Sequence, residues 1–340
     1  SNIKRKSMRL GICSDFLYSH SISNTYLNII KDLSNSGIEI IIFRGSSKKK
    51  DKTSELVDSI ASETIVLPDS LELSCQLVIE KSIDLLLYLE IGMSPKTYLM
   101  SLSRLALVQA VTNGHPCTSG SHNIDYYISA KYAETDDSDK YYSERLVRLN
   151  RLPVNYSIPE IKDVTFSRNQ LNISDKDILI GIPHTLFKFH PDFDKVLDRI
   201  LTRIPNSYLF VAEGNKFETD CLKSRWKSIS NKLLNRTIFH PRVEFQVFLA
   251  ILKNFDIVLD PFYFGMGNTF FQSMFFGIPV VSMPTDQARG RFVYAGYKQM
   301  GIRNAPLANS SEEYIELCIK LINDNSYKED IVNQILSKSK

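Results

Sequence analysis

One segment, residues 256–284, constrains the fold more than any other part of the sequence. It contains a short apolar run, Ile257–Leu259, and a second apolar run that begins at Gly277, and both are typical of buried strands. A glycine-bearing turn, 265–269, and then an apolar stretch of helix length separate the two runs. In such a strand–turn–helix–strand unit, the turn lies at the carboxyl end of a parallel strand, where open α/β sheets bind ligands.

The residues of this turn predict the kind of ligand. Gly265 and Gly267 permit close approach of the backbone, and Asn268 and Thr269 are residue types that can act as an N-cap. The exposed N–H groups at the start of the following helix favour an anion. We therefore predict that the turn receives a phosphate-bearing ligand.

The rest of the chain repeats the alternation of strands and helices, which predicts doubly wound α/β sheets. In the first half the predicted strands are 8–15, 38–43, 64–67, 83–89, 107–112 and 125–128, and the predicted helices are 25–33, 71–80 and 94–105. In the second half the further strands are 178–182, 207–212 and 237–239, and the helices are 192–204, 219–234, 245–253, 310–322 and 328–336.

The periodicity fades between residues 149 and 174 into Asn, Pro, Ser and Asp, which predicts an interdomain linker. We predict an N-terminal domain at 1–155, a linker at 156–174, a C-terminal domain at 175–322 and a terminal helix at 323–340. Two α/β domains joined in this way predict a cleft between them, where a ligand would bind.

The composition argues against several classes of protein. A net charge of +3 on 340 residues is too small to favour nucleic acid or an anionic membrane as the main partner. The basic runs 4–6 and 48–50 are predicted to be solvated. The five cysteines are scattered without a C-x-x-C pair, which favours a reducing, cytoplasmic compartment over a disulfide framework or zinc site. No apolar stretch reaches the ~18 residues that a membrane span needs, and no signal peptide is visible.

Two polar loops of the first half follow predicted strands. Residues 14–21 carry Asp15 and His20, and residues 113–120 carry His115, so all three should lie at the carboxyl edge of the first sheet. A histidine or aspartate there can polarise an acceptor or take a proton. The alternative stays open that Asp15 caps a turn, that His20 is merely exposed and that His115 is satisfied by the loop backbone.

The matching loop of the second half is 183–191, and it carries Lys188 just ahead of a predicted helix. A lysine at this place supplies a mobile positive charge to a diphosphate. The alternative is an ordinary surface lysine.

Other patterns predict no chemistry. Asp137 and Asp139 form the D-x-D pattern that holds a divalent metal in some sugar transferases, but their hydrophilic surroundings predict a solvated loop. His184 and His190 lack the spacing of metal ligands, and Cys117 has only a sequence neighbour as a base. We therefore predict neither metal dependence nor nucleophilic catalysis.

Taken together, these loops resemble the catalytic region of the O-GlcNAc transferase/SPINDLY superfamily, glycosyltransferase family 41. The stretches that carry the resemblance, in order, are S-D-F-L-Y-S-H-S from Ser14, N-G-H-P-C-T-S-G from Asn113, F-K-F-H-P from Phe187, L-D-P-F-Y-F-G-M-G-N-T from Leu259 and R-G-R-F-V-Y-A-G-Y from Arg289. The resemblance extends over nearly the whole chain.

The resemblance implies a GT-B fold, that is, two Rossmann-like doubly wound domains facing a cleft. It also implies a metal-independent, inverting transfer of a sugar, GlcNAc or a hexose, from a UDP-sugar to a protein side chain, with serine or threonine expected. The implied partners are the UDP-sugar donor and a protein or peptide acceptor, with no cofactor.

The resemblance also implies roles for single residues. Lys188 resembles the lysine that neutralises the diphosphate leaving group, a charge that a metal-free reaction must meet with a cation and a helix N-terminus. His20 resembles a cleft histidine, and Asp15 the aspartate before it; both are candidates for the proton transfer. The other matches are Gly267, Asn268, Thr269, Arg242 and Arg291 on the donor side, and His115, Pro116, Thr118, Ser119 and Gly120 on the acceptor and sugar side.

The sequence departs from the family pattern in two ways. Gln272 stands where the family usually has an acidic residue that binds the ribose hydroxyls, and an amide lacks the charge that makes such a contact strong. The tetratricopeptide repeats of many members are missing, which predicts an excised catalytic region or another means of acceptor recognition. Two alternatives therefore remain: a degenerate binding module or partner subunit, and a transferase for a non-protein glycan.

Overall fold

The computed structural model describes residues 7–45, 50–157 and 160–339. The chain divides into two units, Ser1–Ser157 and Ile158–Lys340, which we call unit 1 and unit 2. The basic run 4–6 and residues 48 and 49 of the second basic run lie outside the described residues.

The strands of unit 1 are β1 (Arg9–Ser14), β2 (Glu39–Arg44), β3 (Glu63–Val66), β4 (Leu85–Tyr88), β5 (Val108–Thr112), β6 (Tyr126–Ala130) and β7 (Arg145–Leu149). In the described residues they form one seven-stranded parallel sheet, in the order β3-β2-β1-β4-β5-β6-β7. The order reverses between β1 and β4, which makes this position the topological switch point of the sheet.

Helices cover both faces of this sheet: α1 (Ser21–Asn35), α2 (Lys52–Ile60), α3 (Leu71–Glu80) and α4 (Pro95–Ser101). Ile40 and Ile42 of β2 belong to the core cluster that contains Ile30 of α1, whereas Ile41 and Phe43 belong to the cluster of α3 and α4. A strand that is buried on both faces needs an unbroken apolar run, and that is the pattern of β2.

Unit 2 has the strands β8 (Ile178–Ile182), β9 (Ser207–Ala212), β10 (Thr237–His240), β11 (Ile257–Leu259) and β12 (Val280–Val281). In the described residues they form a five-stranded parallel sheet in the order β10-β9-β8-β11-β12. Its switch point lies between β8 and β11, so the loops after these two strands meet at one edge.

The helices of unit 2 are α5 (Pro191–Arg203), α6 (Lys216–Ile229), α7 (Asn231–Asn235), α8 (Phe245–Leu252), α9 (Asn268–Phe275), α10 (Phe292–Met300), α11 (Ser311–Asn323) and α12 (Asn325–Lys338). They pack on both faces of the sheet. Ile180 and Ile182 of β8 contribute to the core cluster of α5, α6 and α11, and Leu179 contributes to the cluster of α9, α10 and α12.

The predicted bounds of α3, β8, β9 and β11 are confirmed, and other elements need correction. Strand β7 and helix α10 are not among the predicted elements. The helix predicted at 219–234 is two helices, because the extended backbone of Ser230 ends α6 and its hydroxyl caps α7. The helix predicted at 94–105 ends at Ser101. Helix α2 is not predicted by the sequence pattern, because Val57 is its one fully buried apolar side chain and Ile60 is only partly buried.

The segment predicted as a linker has contacts at both ends. At its start, the Ser157 hydroxyl accepts from the Asn28 side-chain amide at 2.7 Å within unit 1. In unit 2, Leu171 and Ile173 are buried in the core cluster of α9. Ile331 and Ile335 of the terminal helix α12 are buried in the same cluster.

Candidate functional site

At the switch point of unit 2, the loop that carries Lys188 meets the loop that carries Gly265, and these two residues are 77 positions apart in the sequence. Lys188 ends a 3₁₀ turn, Leu186–Lys188, in the loop after β8. Its Nζ donates to the Gly265 carbonyl at 2.6 Å, and it lies 4.5 Å from the centre of the Phe264 ring. Lys188 therefore lies beside the glycine turn that precedes α9, where the sequence predicts a phosphate-bearing ligand.

The backbone that follows Lys188 is held rigidly. Asp194 on α5 is fully buried and accepts from the guanidinium of Arg225, which also donates to the Phe189 carbonyl at 2.7 Å. His190 is the N-cap of α5, since its Nδ1 accepts from the Asp192 N–H at 3.2 Å. These bonds anchor the backbone on the C-terminal side of Lys188.

Burial also disfavours the charged form of this lysine. Lys188 is half-buried, and desolvation lowers its pKa to about 8, against the opposing effect of the Asp260 carboxylate. The ammonium is thus charged at neutral pH but poorly hydrated. A poorly hydrated cation gains more from binding an anion than a fully solvated one.

The N-terminus of α9 differs in one detail from the prediction. Gly267 is the N-cap, and Asn268 and Thr269 are the first two helical residues, so neither is the capping residue that we predicted. The reason is that α9 begins one residue earlier than the polar pair suggested. Because a glycine has no side chain with which to cap, no N-cap side chain occupies the start of α9, where the sequence predicts an anion.

A cavity of about 220 Å³ lies at the carboxyl ends of β8, β9 and β10. Its lining includes His184, Thr185, Phe210, His240 and Arg242. Burial, and then the nearby charge of Lys188, lower the pKa of His184 to about 3, so its ring is neutral. One ring nitrogen bonds the Leu259 backbone, and the buried Nε2 has no partner among the described residues. This nitrogen therefore has hydrogen-bonding capacity that the described residues do not use.

The other residues predicted on the donor side have these positions. Arg242 lines the rim of the cavity, is exposed and donates from Nε to the Glu213 carbonyl at 3.3 Å. Gln272 is only 5% exposed, in the second turn of α9. Arg291 donates to the Thr285 carbonyl at 2.9 Å and stacks on Tyr294, so it holds the loop after β12. The donor roles that the resemblance implies for these three residues stay predictions.

The switch point of unit 1 also carries a buried carboxylate that was not predicted from the sequence. Asp15 follows β1, Glu90 follows β4, and the Asp15 N–H donates to Glu90 Oε1 at 3.1 Å. Burial raises the pKa of Glu90 to about 8, so this carboxyl is largely protonated at neutral pH. The Ser94 hydroxyl donates to Asp15, whose other oxygen is buried without a partner among the described residues. An acidic residue directly after the apolar run 83–89 was the signal that could have found Glu90.

His20 is not merely exposed, as one alternative held. It is the half-buried N-cap of α1, because its Nδ1 accepts from the Ile22 N–H at 3.2 Å, and its ring stacks on Phe16 at 4.6 Å. Since Nδ1 accepts, the proton of the neutral ring is on Nε2. The ring orientation is thus fixed by the fold.

The loop predicted for the acceptor side is fixed by Glu144, a second residue that was not predicted from the sequence. Glu144 is buried and accepts from the Thr118 hydroxyl and from the Ser119 N–H, each at 2.7 Å. The Ser119 hydroxyl also donates to Glu144, so the hydroxyls of both residues are engaged within the protein. Gly120 is exposed at a φ of +68°, a value that favours glycine.

His115 lies at the start of the same loop. Its ring packs so closely over Gly92 that a Cβ at that glycine would lie 3.0 Å from the ring, and its carbonyl accepts from the Tyr127 hydroxyl at 3.2 Å. Pro116 follows it and is half-buried. Asp15, Glu90 and His115 thus follow β1, β4 and β5, three neighbouring strands of one parallel sheet.

The D-x-D pair has ordinary structural partners. Asp137 pairs with Lys140 and Asp139 with Arg148, all at the protein surface. Within residues 7–45, 50–157 and 160–339, no three side chains of metal-ligating type come together.

The sequence of unit 2 matches a known protein family. A model of glycosyl transferase family 41 matches residues 151–340, more than half of the chain. The chain belongs to glycosyltransferase family 41. The family resemblance seen in the sequence is confirmed.

Two curated relatives of this family 41 chain show how much of a longer protein it matches. It is 27% identical over 257 residues to the UDP-glucose:protein N-beta-glucosyltransferase of Actinobacillus pleuropneumoniae serotype 5b, covering 73% of the chain and 40% of that protein. It is 24% identical over 355 residues to the probable UDP-N-acetylglucosamine–peptide N-acetylglucosaminyltransferase SPINDLY of Solanum lycopersicum, covering 100% of the chain and 37% of that protein.

Solved structures show the fold. An O-GlcNAc transferase mutant of Thermobaculum terrenum superposes with a TM-score of 0.86 at 19% identity, over 98% of the chain and 64% of that protein. Anabaena HepE in complex with UDP and glucose superposes with a TM-score of 0.59 at 13% identity, over 98% and 94%. The predicted GT-B fold of the family 41 chain is confirmed, and the cleft stays a prediction. Among the described residues, no helix combines the length and the apolar character that crossing a membrane requires.

Proposed function

We propose that this family 41 chain transfers a sugar from a UDP-sugar to a protein side chain, in an inverting reaction that uses no metal. The observation that carries the proposal is the meeting of Lys188 with the glycine turn at the N-terminus of α9. Both curated relatives are named for transfer from a UDP-sugar to protein or peptide.

The diphosphate of the donor is proposed to bind the first amides of α9 and the ammonium of Lys188. As the bond between the sugar and the diphosphate breaks, negative charge grows on the leaving UDP. A cation and a helix N-terminus stabilise that charge without a metal. The N-terminal residues that would hold the phosphates are Gly267, Asn268 and Thr269.

The nucleoside is proposed to occupy the cavity beside β8, β9 and β10. This cavity opens at the same edge of the sheet as Lys188, and the neutral His184 within it has an acceptor nitrogen without a partner among the described residues. Because His184 is uncharged, it recognises a neutral base without adding charge to the site. Arg242 at the rim and Gln272 on α9 are the side chains proposed for the outer part of the nucleoside.

The acceptor chemistry is assigned to unit 1. In an inverting transfer the acceptor oxygen attacks the anomeric carbon, its proton passes to a base, and UDP leaves with the bonding electrons. Asp15 is the proposed base for that proton, and His20, whose ring proton is on Nε2, is proposed to polarise the acceptor. The loop at His115 follows β5 of the same sheet. Serine or threonine is the proposed acceptor; an asparagine amide is the second candidate, because one curated relative is named an N-glucosyltransferase.

The alternative to an active transferase is a binding module that has lost catalytic activity. It is supported by Gln272, which stands where the family usually has an acidic residue. One assay separates them. The protein, with EDTA present, is incubated with a panel of UDP-sugars, and released UDP is measured with and without serine- and asparagine-containing peptides that are otherwise matched. We expect UDP release from at least one donor and a mass increase on the serine peptide. The matched control is Lys195→Met, an exposed lysine on α5, which should leave the rate unchanged.

Absence of UDP release from every donor, with UDP binding intact, would favour the binding module. A requirement for a divalent metal would contradict the metal-free reaction. A cytoplasmic location, which the scattered free cysteines favour, belongs to the same proposal.

A further inference from the structure

Asp260, the first residue after β11, is a buried acid of the region around Lys188, with 2% exposure. Its Oδ1 accepts from the Met266 N–H and its Oδ2 from the Ser282 hydroxyl, both at 2.6 Å. These two bonds connect the loop between β11 and α9 with the loop after β12. One carboxylate therefore holds both loops at this edge of the sheet.

The backbone wraps closely around this carboxylate. A Cβ at Gly265 would lie 2.9 Å from Asp260 Oδ1, so only glycine fits there without a shift. Tyr263 has a φ of +71°, a left-handed value that is unusual for a side chain of its size. The Tyr314 hydroxyl donates to the Asp260 carbonyl at 3.0 Å. The carbonyl of Gly265, so placed, accepts from Lys188.

The same carboxylate acts on the charge of Lys188. Burial lowers the pKa of Lys188, and Asp260 is the group that raises it. In return, Lys188 is among the groups that restrain the pKa of Asp260, which burial raises to about 6. The other titratable groups that act on this pair are neutral: burial lowers the pKa of His184 and raises those of Tyr297 and Tyr314.

We propose that Asp260 is a positioning residue of the donor site, which fixes the turn before α9 and keeps the Lys188 ammonium charged at neutral pH. The proposal rests on the proposed function in one respect only, the nature of the ligand. Asp260 is buried beneath the turn and acts on the diphosphate through Lys188 and the α9 amides. Its charge, separate from its hydrogen bonds, should set the pH above which a nucleoside diphosphate ceases to bind well.

Asp260→Asn separates charge from shape. The amide oxygen can accept from Met266 N–H, and the amide nitrogen can donate to the Ser282 hydroxyl, which rotates to accept. Ser282→Ala is the matched control, because it removes the bond to Oδ2 and leaves the carboxylate charged in the alkaline range. Lys188 is titrated in the ligand-free protein through the pH dependence of its trace acetylation, read by mass spectrometry.

We expect a labelling midpoint near pH 8 in the natural protein, the pKa of about 8 that burial gives Lys188. Asp260→Asn should lower this midpoint by about one pH unit, the effect of removing a nearby opposite charge, whereas Ser282→Ala should leave it in place. The UDP affinity of Asp260→Asn is measured by calorimetry at two pH values. It should match that of the natural protein within about threefold at about pH 6.5 and be about tenfold weaker at about pH 8.5.

A labelling midpoint that does not move in Asp260→Asn would overturn the inference. So would a loss of UDP affinity that is equal at both pH values, because that is the sign of a purely structural role. If the natural protein does not bind UDP, the proposed function fails, while the labelling midpoint still decides the role of Asp260. Should Asp260→Asn not fold, Asp260→Ser replaces it, with the same expected change in the midpoint.

Discussion

Replacing Lys188 by methionine should change donor binding and protein stability in opposite directions. The side chain keeps its length and apolar stem but loses its charge. In the folded protein the pKa of Lys188 falls from its usual 10.5 to about 8. Since a tenfold change in a protonation equilibrium corresponds to about 1.4 kcal/mol, holding this ammonium desolvated costs up to about 3 kcal/mol, and partial exposure reduces that figure.

The sign of the pH dependence follows from the proton balance. Between pH 8 and 10.5 the unfolded chain binds more protons at this lysine than the folded chain, so its contribution to stability rises with pH. At about pH 7 the cost is fully present. Lys188→Met removes the cost and also the bond to the Gly265 carbonyl, worth about 1 kcal/mol. We expect the variant to be about 1 kcal/mol more stable at about pH 7, with the gain gone by about pH 10.

Donor binding should change the other way. A charge-assisted hydrogen bond contributes about 1.5–3 kcal/mol, so Lys188→Met should weaken UDP binding by about 10- to 100-fold. At a UDP concentration of about 100 Kd, the natural protein should gain about 2.7 kcal/mol of stability, and the variant should lose about half of that gain or more.

Thermal unfolding at about pH 7 and about pH 10, with and without UDP, measures both effects. The exposed Lys195→Met serves as the control and should behave as the natural protein does. A Lys188→Met protein that responds fully to UDP would refute the donor role of Lys188. A stability difference that is the same at both pH values would refute the desolvated ammonium.

Three further predictions concern the buried polar residues. Burial raises the pKa of Glu90 from its usual 4.5 to about 8, so the contribution of Glu90 to stability is lost as pH rises through this range. Glu90→Gln should therefore flatten the fall in melting temperature between about pH 5 and pH 8. An unchanged slope would contradict the raised pKa. Gln272→Glu should tighten UDP binding, measured by calorimetry, at a cost in stability because the position is only 5% exposed; no gain in affinity would mean that the ribose role is wrong. Glu144→Ala should destabilise the protein by about 2–3 kcal/mol in urea unfolding, because buried donors of the loop lose their acceptor. Thr118→Val removes only one donor and should destabilise the protein less. Equal losses of stability would show that Glu144 is not the shared acceptor that fixes the loop.

The central strands were predictable because burial on both faces requires apolar runs, whereas the half-exposed β7 was not predicted. Residues 40–43 are such a run, and the predicted bounds of Ile178–Ile182 and Ile257–Leu259 match the structure to the residue. The alternation with helices then makes the sheets parallel, which brings the loops of Lys188 and Gly265 to one edge. Their juxtaposition therefore follows from sequence order alone.

The buried acids were not predictable in the same way. The sequence does not show the role of Asp260, because its partner Ser282 lies 22 residues away and their hydrogen bond exists only in the folded chain. Glu144 and Ser119 are likewise 25 residues apart. Local patterns do not contain such pairs. The N-cap of α9 was not predictable because Asn268 and Thr269 are good capping residues, and a glycine took that position instead.

The most direct test of the account is a crystal structure of the chain with UDP, grown in the presence of EDTA. We predict that the diphosphate lies at hydrogen-bond distance, about 3 Å, from Lys188 Nζ and from the first amides of α9, with the base in the cavity beside His184. UDP bound elsewhere on the chain, or a diphosphate that does not contact Lys188, would contradict it.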